Sequence, residues 1–267
     1  MEYIDQNKQA WEEAFDHRRA GWGDDLVGRL QTETLPFLNP MLRQAVQAMD
    51  LNGKAVAQFC CNNGREILSI MGQGAASGVG FDIAENMVAF AREAAGQAGI
   101  PCAFRACNVL EIGAEYRAAF DLVFFTIGAI TWFEDLYALF AVAARCLKPG
   151  GRLLINDFHP YVNMLALPGE DEFDPAVPCR AAHSYFRTEP WREQNGAGYM
   201  TPHPNTHTFT SFSHTMGSIV SAVAAAGLRI GSLAEFDRDI GMTDACDGKG
   251  FPLSFLLLAE KPAAAAG

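Results

Sequence analysis

Basic residues are scarce in this chain. Lys and Arg number 20 against 31 Asp and Glu, the formal net charge is −11, and no Lys/Arg cluster interrupts the balance. A protein that grips nucleic acid needs a basic stripe to meet phosphates, so nucleic acid is excluded as a partner. Long apolar runs are also lacking. The longest, "LVFFTIGAITWF" from Leu122 to Phe133, is too short to span a bilayer, and no membrane partner is expected. The opening "MEYIDQNKQAW" is polar and acidic, without the apolar core of a secretory signal, so a cytoplasmic location is expected. The seven cysteines are odd in number, follow no framework spacing and include no CxxC. Cys60 and Cys61 are adjacent and cannot form an ordinary disulfide with each other, so reduced thiols are expected. Of the six histidines, only His203 and His207 approach metal-ligand spacing, and the two prolines of "TPHPNTH" argue against a helix face there. No metal site is expected. The dinucleotide fingerprint G-x-G-x-x-G is missing as well, which argues against NAD or FAD.

What is present is enough to build a core. About half of the 267 residues are apolar (49%) and suit one large domain over residues 1–267. Residues 5–20 predict an amphipathic helix with Ala10, Trp11, Ala14 and Phe15 on one face and Asp5 as its cap; a second helix is expected over 39–49, within an N-terminal helical segment 1–50. Strands and helices then alternate. Strands are expected at Val56–Cys60, Ser77–Asp82, Cys102–Ala106, Leu122–Thr126 and Arg152–Asp157, with helices at Gly64–Gln73, Ala84–Ala98 and Glu134–Leu147. That alternation predicts an α/β fold, a doubly wound Rossmann-like sheet, mostly parallel, whose carboxyl edge binds ligands. From Phe158 to about residue 213 the pattern breaks into Pro, aromatic, His and Asn residues, too long for an ordinary loop, and is expected to form a cap inserted over that edge. A helix at Thr215–Ala226 and strands at Leu228–Asp237 and Leu253–Glu260 follow.

The chemistry gathers at three strand ends. "AVAQFCCNNGREIL" reads as strand, turn and helix, and unpaired N–H groups at such a helix start favour a negative group. Asp82 ends the second strand, where a carboxylate accepts from both ribose hydroxyls; capping of the next helix is the alternative. Asn108 follows the third strand, where its amide oxygen suits an adenine amino group. The turn keeps only Gly64 and crowds a pyrophosphate, so a nucleoside ligand without phosphate fits it better.

In these motifs the segment Ala55–Asp157 resembles the class I S-adenosyl-L-methionine (SAM)-dependent methyltransferases. "VAQFCCNNG" aligns with their glycine motif, with Gln58 at the usual acid and Cys60, Asn62 and Gly64 at the three glycine positions. "VGFDIAENMVAFARE", "ACNVLEI", "FDLVFFTIGAITWFEDL" and "AARCLKPGGRLLINDFHP" follow in the family's order, and Thr215–Lys261 looks like its last helix and antiparallel final strands. The chain is similar to a bacterial subgroup with "CNNGRE" in place of the glycines. The resemblance implies SAM as cofactor. It places Cys60, Asn62 and Gly64 along the methionine part, Asp82 on the ribose and Ile83 on adenine. Asn108 and Val109 fall at the adenine edge, Thr126 and Ile127 under the amino-acid end, and Tyr3 over the cofactor.

On the acceptor side, His159, Tyr161 and Tyr185 are the candidate catalytic residues. His159 follows the fifth strand and titrates near neutral pH, which suits a base; a structural histidine is the alternative. His203 and His207 are further pocket candidates, His214 is expected to start the next helix, and Trp132 and Phe133 are either core or substrate platform. The expected reaction is methyl transfer to O or N of a small-molecule metabolite. Two alternatives stand beside it. One is a non-methylating enzyme that cyclises SAM to azetidine-2-carboxylate and releases methylthioadenosine; the other is a non-catalytic SAM-binding module. The N-terminal helices and the insertion offer a face for a homodimer.

Overall fold

The computed structural model describes residues 2–168, 170–195 and 197–263. The helices are α1 (Glu2–Asp16), α2 (Leu26–Thr32), α3 (Pro40–Gln47), α4 (Arg65–Met71), α5 (Glu85–Ala98), α6 (Leu136–Cys146) and α7 (Met216–Ala225). The strands are β1 (Ala55–Phe59), β2 (Ser77–Asp82), β3 (Cys102–Ala106), β4 (Phe120–Thr126), β5 (Leu147–Phe158), β6 (Trp191–Glu193), β7 (Phe209–Ser211), β8 (Arg229–Phe236) and β9 (Ser254–Glu260).

Seven strands make one sheet in the order β3-β2-β1-β4-β5-β9-β8. β1 to β5 pair in parallel, while β9 runs antiparallel between β5 and β8. The expected Rossmann-like sheet with an antiparallel last strand is therefore present. Its chemistry follows from strand periodicity. Along β4, Leu122 and Phe124 enter one core with Ile67, Leu68 and Val88, whereas Val123 and Phe125 enter the other with Phe59, Phe140 and Leu153. A strand buried on both faces has to be apolar at every position, which is why β4 reads as an unbroken run. The order reverses between β1 and β4, so the crevice above that pair is where a doubly wound sheet receives its ligand.

Several boundaries differ from expectation. α1 starts at Glu2, ahead of the expected Asp5 cap. α2 was not expected, because Gly28 sits inside a seven-residue helix and weakens its pattern. α3 follows its local chemistry: Asn39 Oδ1 accepts from Leu42 N at 2.9 Å and Pro40 occupies the first turn. The segment after β5 holds a short helical turn at Pro160–Met164 and the β6–β7 ribbon, and is otherwise irregular.

The cysteine expectation is corrected at one pair. Cys179 and Cys246 are joined as a disulfide with Cα atoms 5.7 Å apart, while five other cysteines are free. The partners are 67 positions apart in the chain, so only the fold brings them together. Among the described residues no helix is long and apolar enough to cross a membrane, and no three His, Cys, Asp or Glu side chains gather as a metal set.

Candidate functional site

The turn after β1 takes a glycine-type backbone with only one glycine among its three left-handed positions. Cys60, Asn62 and Gly64 have φ of 56°, 50° and 78°, so alternate residues are left-handed. Left-handed backbone costs an ordinary L-residue about 1–2 kcal/mol, less for Asn, whose side chain bonds locally. Asn62 does so: its Oδ1 accepts from Asn63 N at 2.8 Å. Gly64 is required in a second way, since a Cβ there would lie 2.6 Å from the Phe104 ring.

Asp82 ties this turn to the next strand. Oδ2 accepts from Asn62 N at 2.7 Å and Oδ1 from Ala84 N at 3.0 Å. It therefore caps the start of α5 as well, and its carboxylate keeps acceptor capacity for a ligand. Burial raises the Asp82 pKa, opposed by the backbone N–H groups of Ala84, Asn62 and Ile83. Gln58, where the resemblance expects an acid, is buried and bonded at both amide atoms: Nε2 donates to Thr126 Oγ1 at 2.8 Å and Oε1 accepts from Ile67 N at 3.1 Å. A neutral amide thus bridges β1, β4 and α4. Asn108 Oδ1 accepts from Leu110 N at 3.1 Å, capping a short turn at Val109–Glu111 in which Val109 is core.

Beyond β4, Ile127 N donates to Asn156 O at 3.0 Å. Asp157 is turned inward. Its carboxylate accepts from the backbone N–H groups of Gly128, Ala129, Ile130 and Phe158, shaping the 127–130 turn. Burial raises its pKa and these four donors oppose the rise.

The N-terminal helix and the cap close over the same edge. Asn7 and Thr210 exchange two bonds, Nδ2 to Thr210 O at 2.8 Å and Thr210 N to Oδ1 at 2.7 Å. Asn205 Nδ2 donates to Ala10 O at 2.6 Å, and Glu13 accepts from Thr206 N and His207 N. Inside this clamp Trp11 meets Trp132 and Phe209 edge-on, with ring centroids 5.3 and 4.9 Å away, and packs with Ala84 and Met87 beside the cofactor edge. Tyr3 meets Phe212 edge-on at 5.1 Å, close to Glu134 and Asp135.

The three acceptor-side candidates are not brought together. His159 is buried beyond β5. Nδ1 accepts from Tyr161 N at 3.0 Å and Nε2 lies 2.7 Å from Glu235 Oε1. Burial lowers its pKa more than Glu235 raises it. Tyr161 stacks on Phe251 at 5.4 Å. Tyr185 sits apart, its hydroxyl accepting from Met216 N at 2.9 Å at the start of α7. His214 Nε2 lies 2.9 Å from Phe133 O, just ahead of α7. Two residues were missed by sequence reasoning. Glu235, at the end of the edge strand β8, carries no motif. Tyr199 lies in the irregular segment, where periodicity is silent, yet its hydroxyl accepts from Asn62 Nδ2 at 3.1 Å.

A nucleoside with a methionine arm suits this donor and acceptor set. The turn is left-handed at alternate residues, Asp82 offers acceptor capacity, and half-buried Ile83 offers an apolar face. Residues 56–151 match a family model described as a methyltransferase domain. A ubiquinone biosynthesis O-methyltransferase of Xanthomonas oryzae pv. oryzae (strain PXO99A) is 29% identical over 154 residues, 57% of this chain and 63% of that relative, so the match spans less than two thirds of the relative's length. Among solved structures, a SAM-dependent methyltransferase from Mesorhizobium loti superposes with a TM-score of 0.60 at 21% identity, covering 82% of this chain and 96% of its own. Geranyl diphosphate C-methyltransferase from Streptomyces coelicolor A3(2), solved with Mg2+, geranyl diphosphate and S-adenosyl-L-homocysteine, gives 0.59 at 14% identity over 98% of both chains. At such identities the structures speak for the fold. Residues 56–151 thus match a methyltransferase domain, and the chain has the fold of these solved SAM-dependent methyltransferases.

Proposed function

We propose that the protein is a methyltransferase that uses SAM to methylate an oxygen or nitrogen of a small-molecule metabolite, in the subgroup with CNNGRE at the first motif. One observation carries the reading: the glycine-motif backbone is retained at Cys60, Asn62 and Gly64 at the cost of strain, and Asp82 is bonded to its middle residue. A turn in a merely stable sheet has no reason to bear that strain. The bound cofactor supplies an electrophilic methyl group. Asp82 accepts from the ribose, Ile83 packs on adenine, and Asn108 and Val109 border the adenine edge. Cys60, Asn62 and Gly64 line the methionine arm, Thr126 and Ile127 lie beneath its amino-acid end, and Tyr3 covers it. The aromatic enclosure of Trp11, Trp132 and Phe209 aligns the acceptor and excludes water, which is most of what an in-line displacement asks of a protein.

Where the acceptor must lose a proton, His159 is the proposed base, with Tyr161 beside it and Tyr185 further round the cap. Its lowered pKa keeps it neutral at pH 7. Because Nδ1 accepts from Tyr161 N, the neutral ring carries its proton on Nε2, facing Glu235, and His159 takes up the acceptor's proton only when the Nδ1 bond to Tyr161 N opens.

Calorimetry with SAM tests the cofactor half. Wild type binds, and Asp82→Ala loses about 10–100-fold in affinity, the scale of hydrogen bonds to a charged group. The pH dependence follows from the raised pKa. On acidification Asp82 gains its proton above the usual value of 3.8, so affinity falls at higher pH than an ordinary aspartate would give. Mass spectrometry of the turnover products tests the other half. S-adenosylhomocysteine formed with small acceptors supports methyl transfer, and methylthioadenosine released from SAM alone would replace it with cyclisation. Binding without either product identifies a non-catalytic module.

A further inference from the structure

The cap reaches the cofactor turn through Tyr199. Tyr199 is presented rigidly, because both of its neighbours are bonded to Arg19 after α1. Arg19 N donates to Met200 O at 3.0 Å and Arg19 Nη2 to Gly198 O at 2.8 Å, and Met200 is fully buried. Tyr199 is 49% exposed, and its hydroxyl accepts from Asn62 Nδ2 at 3.1 Å in a bond open to solvent.

Asn62 is the pivot of the turn. Its backbone N–H donates to Asp82, its Oδ1 accepts from Asn63 N, and its Nδ2 has the Tyr199 hydroxyl as partner. With Oδ1 and Nδ2 both engaged, the amide is fixed in orientation, and with it the left-handed backbone at the middle of the turn. Resting on the methyltransferase reading, we propose that Tyr199 is a cofactor-positioning residue, the cap hydroxyl that locks Asn62 and holds SAM closed against the turn. Entry and exit of SAM then require the Tyr199–Asn62 bond to break and the 198–210 segment to lift together with α1, to which it is clamped. The ligand governed is SAM or its demethylated product, and the acceptor is not.

Stopped-flow fluorescence, with Trp11 and Trp132 as reporters, measures association and dissociation of SAM and S-adenosylhomocysteine. Tyr199→Phe keeps the ring and removes only the hydroxyl. It is expected to speed dissociation of both ligands about 5–10-fold, the scale of one hydrogen bond, with an unchanged Tm. Asn62→Gly removes the amide while tolerating the positive φ, and the double variant is expected to dissociate no faster than Asn62→Gly alone. Dissociation rates in Tyr199→Phe equal to wild type, effects that multiply in the double variant, or a lowered Tm with unchanged rates would each overturn the assignment. If wild type binds no SAM, the methyltransferase reading itself fails; if it binds and Tyr199→Phe is silent, only the role of Tyr199 fails.

Discussion

At the scale of single residues, the first motif shows how a backbone shape outlives the residue type that usually makes it. Cys60 has φ of 56° and is half-buried against the core, while burial pushes its thiol pKa well up. It behaves as a small apolar side chain in a strained conformation, not as a nucleophile. Cys60→Gly relieves the strain at the price of a more flexible unfolded chain. A net gain of about 1 kcal/mol is expected. Chemical denaturation measures it, and a loss above that size would show that the thiol's packing outweighs its backbone cost. The motif positions were legible from order and spacing. Their partners were not. Nothing in the sequence says that Gln58 bridges Thr126 to Ile67, or that Asp82 both anchors Asn62 and caps α5, because each bond joins residues that only the folded sheet makes neighbours.

Between elements, α1 and the cap act as one unit. The bonds of Asn7, Ala10 and Glu13 all go to residues 205–210, about two hundred positions away in the chain. Asn7 is buried, and both of its amide groups are paired with the Thr210 backbone. Asn7→Ala leaves that N–H and C=O without partners, which costs about 1–3 kcal/mol locally. Amide hydrogen exchange over residues 199–211 is expected to quicken about tenfold or more in Asn7→Ala, while β1 and β4 keep wild-type protection. If exchange quickens equally in both regions, α1 stabilises the whole domain and not the cap. The amphipathic face of this helix was readable, with Ala10, Ala14 and Phe15 buried as expected. What it packs against was not, since an irregular segment carries no period to match.

For the whole molecule, the disulfide is the feature with the longest reach. Cys179 belongs to the cap and Cys246 to the connection between β8 and β9, so the bond staples the insertion to the antiparallel end of the sheet. Thiol titration of the denatured protein is expected to give five thiols without reductant and seven after reduction. Closing a loop of 67 residues corresponds to about 4 kcal/mol in the chain-entropy account, so Cys179→Ser is expected to lower stability by a few kcal/mol. Seven thiols without reductant would show the pair reduced, as the cysteine spacing alone suggests. The sequence by itself determined the sheet, mostly parallel with an antiparallel last strand. Apolar periodicity and the turns between elements are local signals, and crossovers have one preferred hand. It also singled out the 60–64 turn, Asp82 and Asn108 as candidates, because they follow consecutive strands. Only the tertiary structure decided the rest: the separation of Tyr185 from His159, the inward turn of Asp157, the pairing of His159 with Glu235, the reach of Tyr199 to Asn62, and the Cys179–Cys246 bond. Each joins positions far apart in the chain through contacts with no periodic signature, and such contacts exist only once the sheet and the cap have packed.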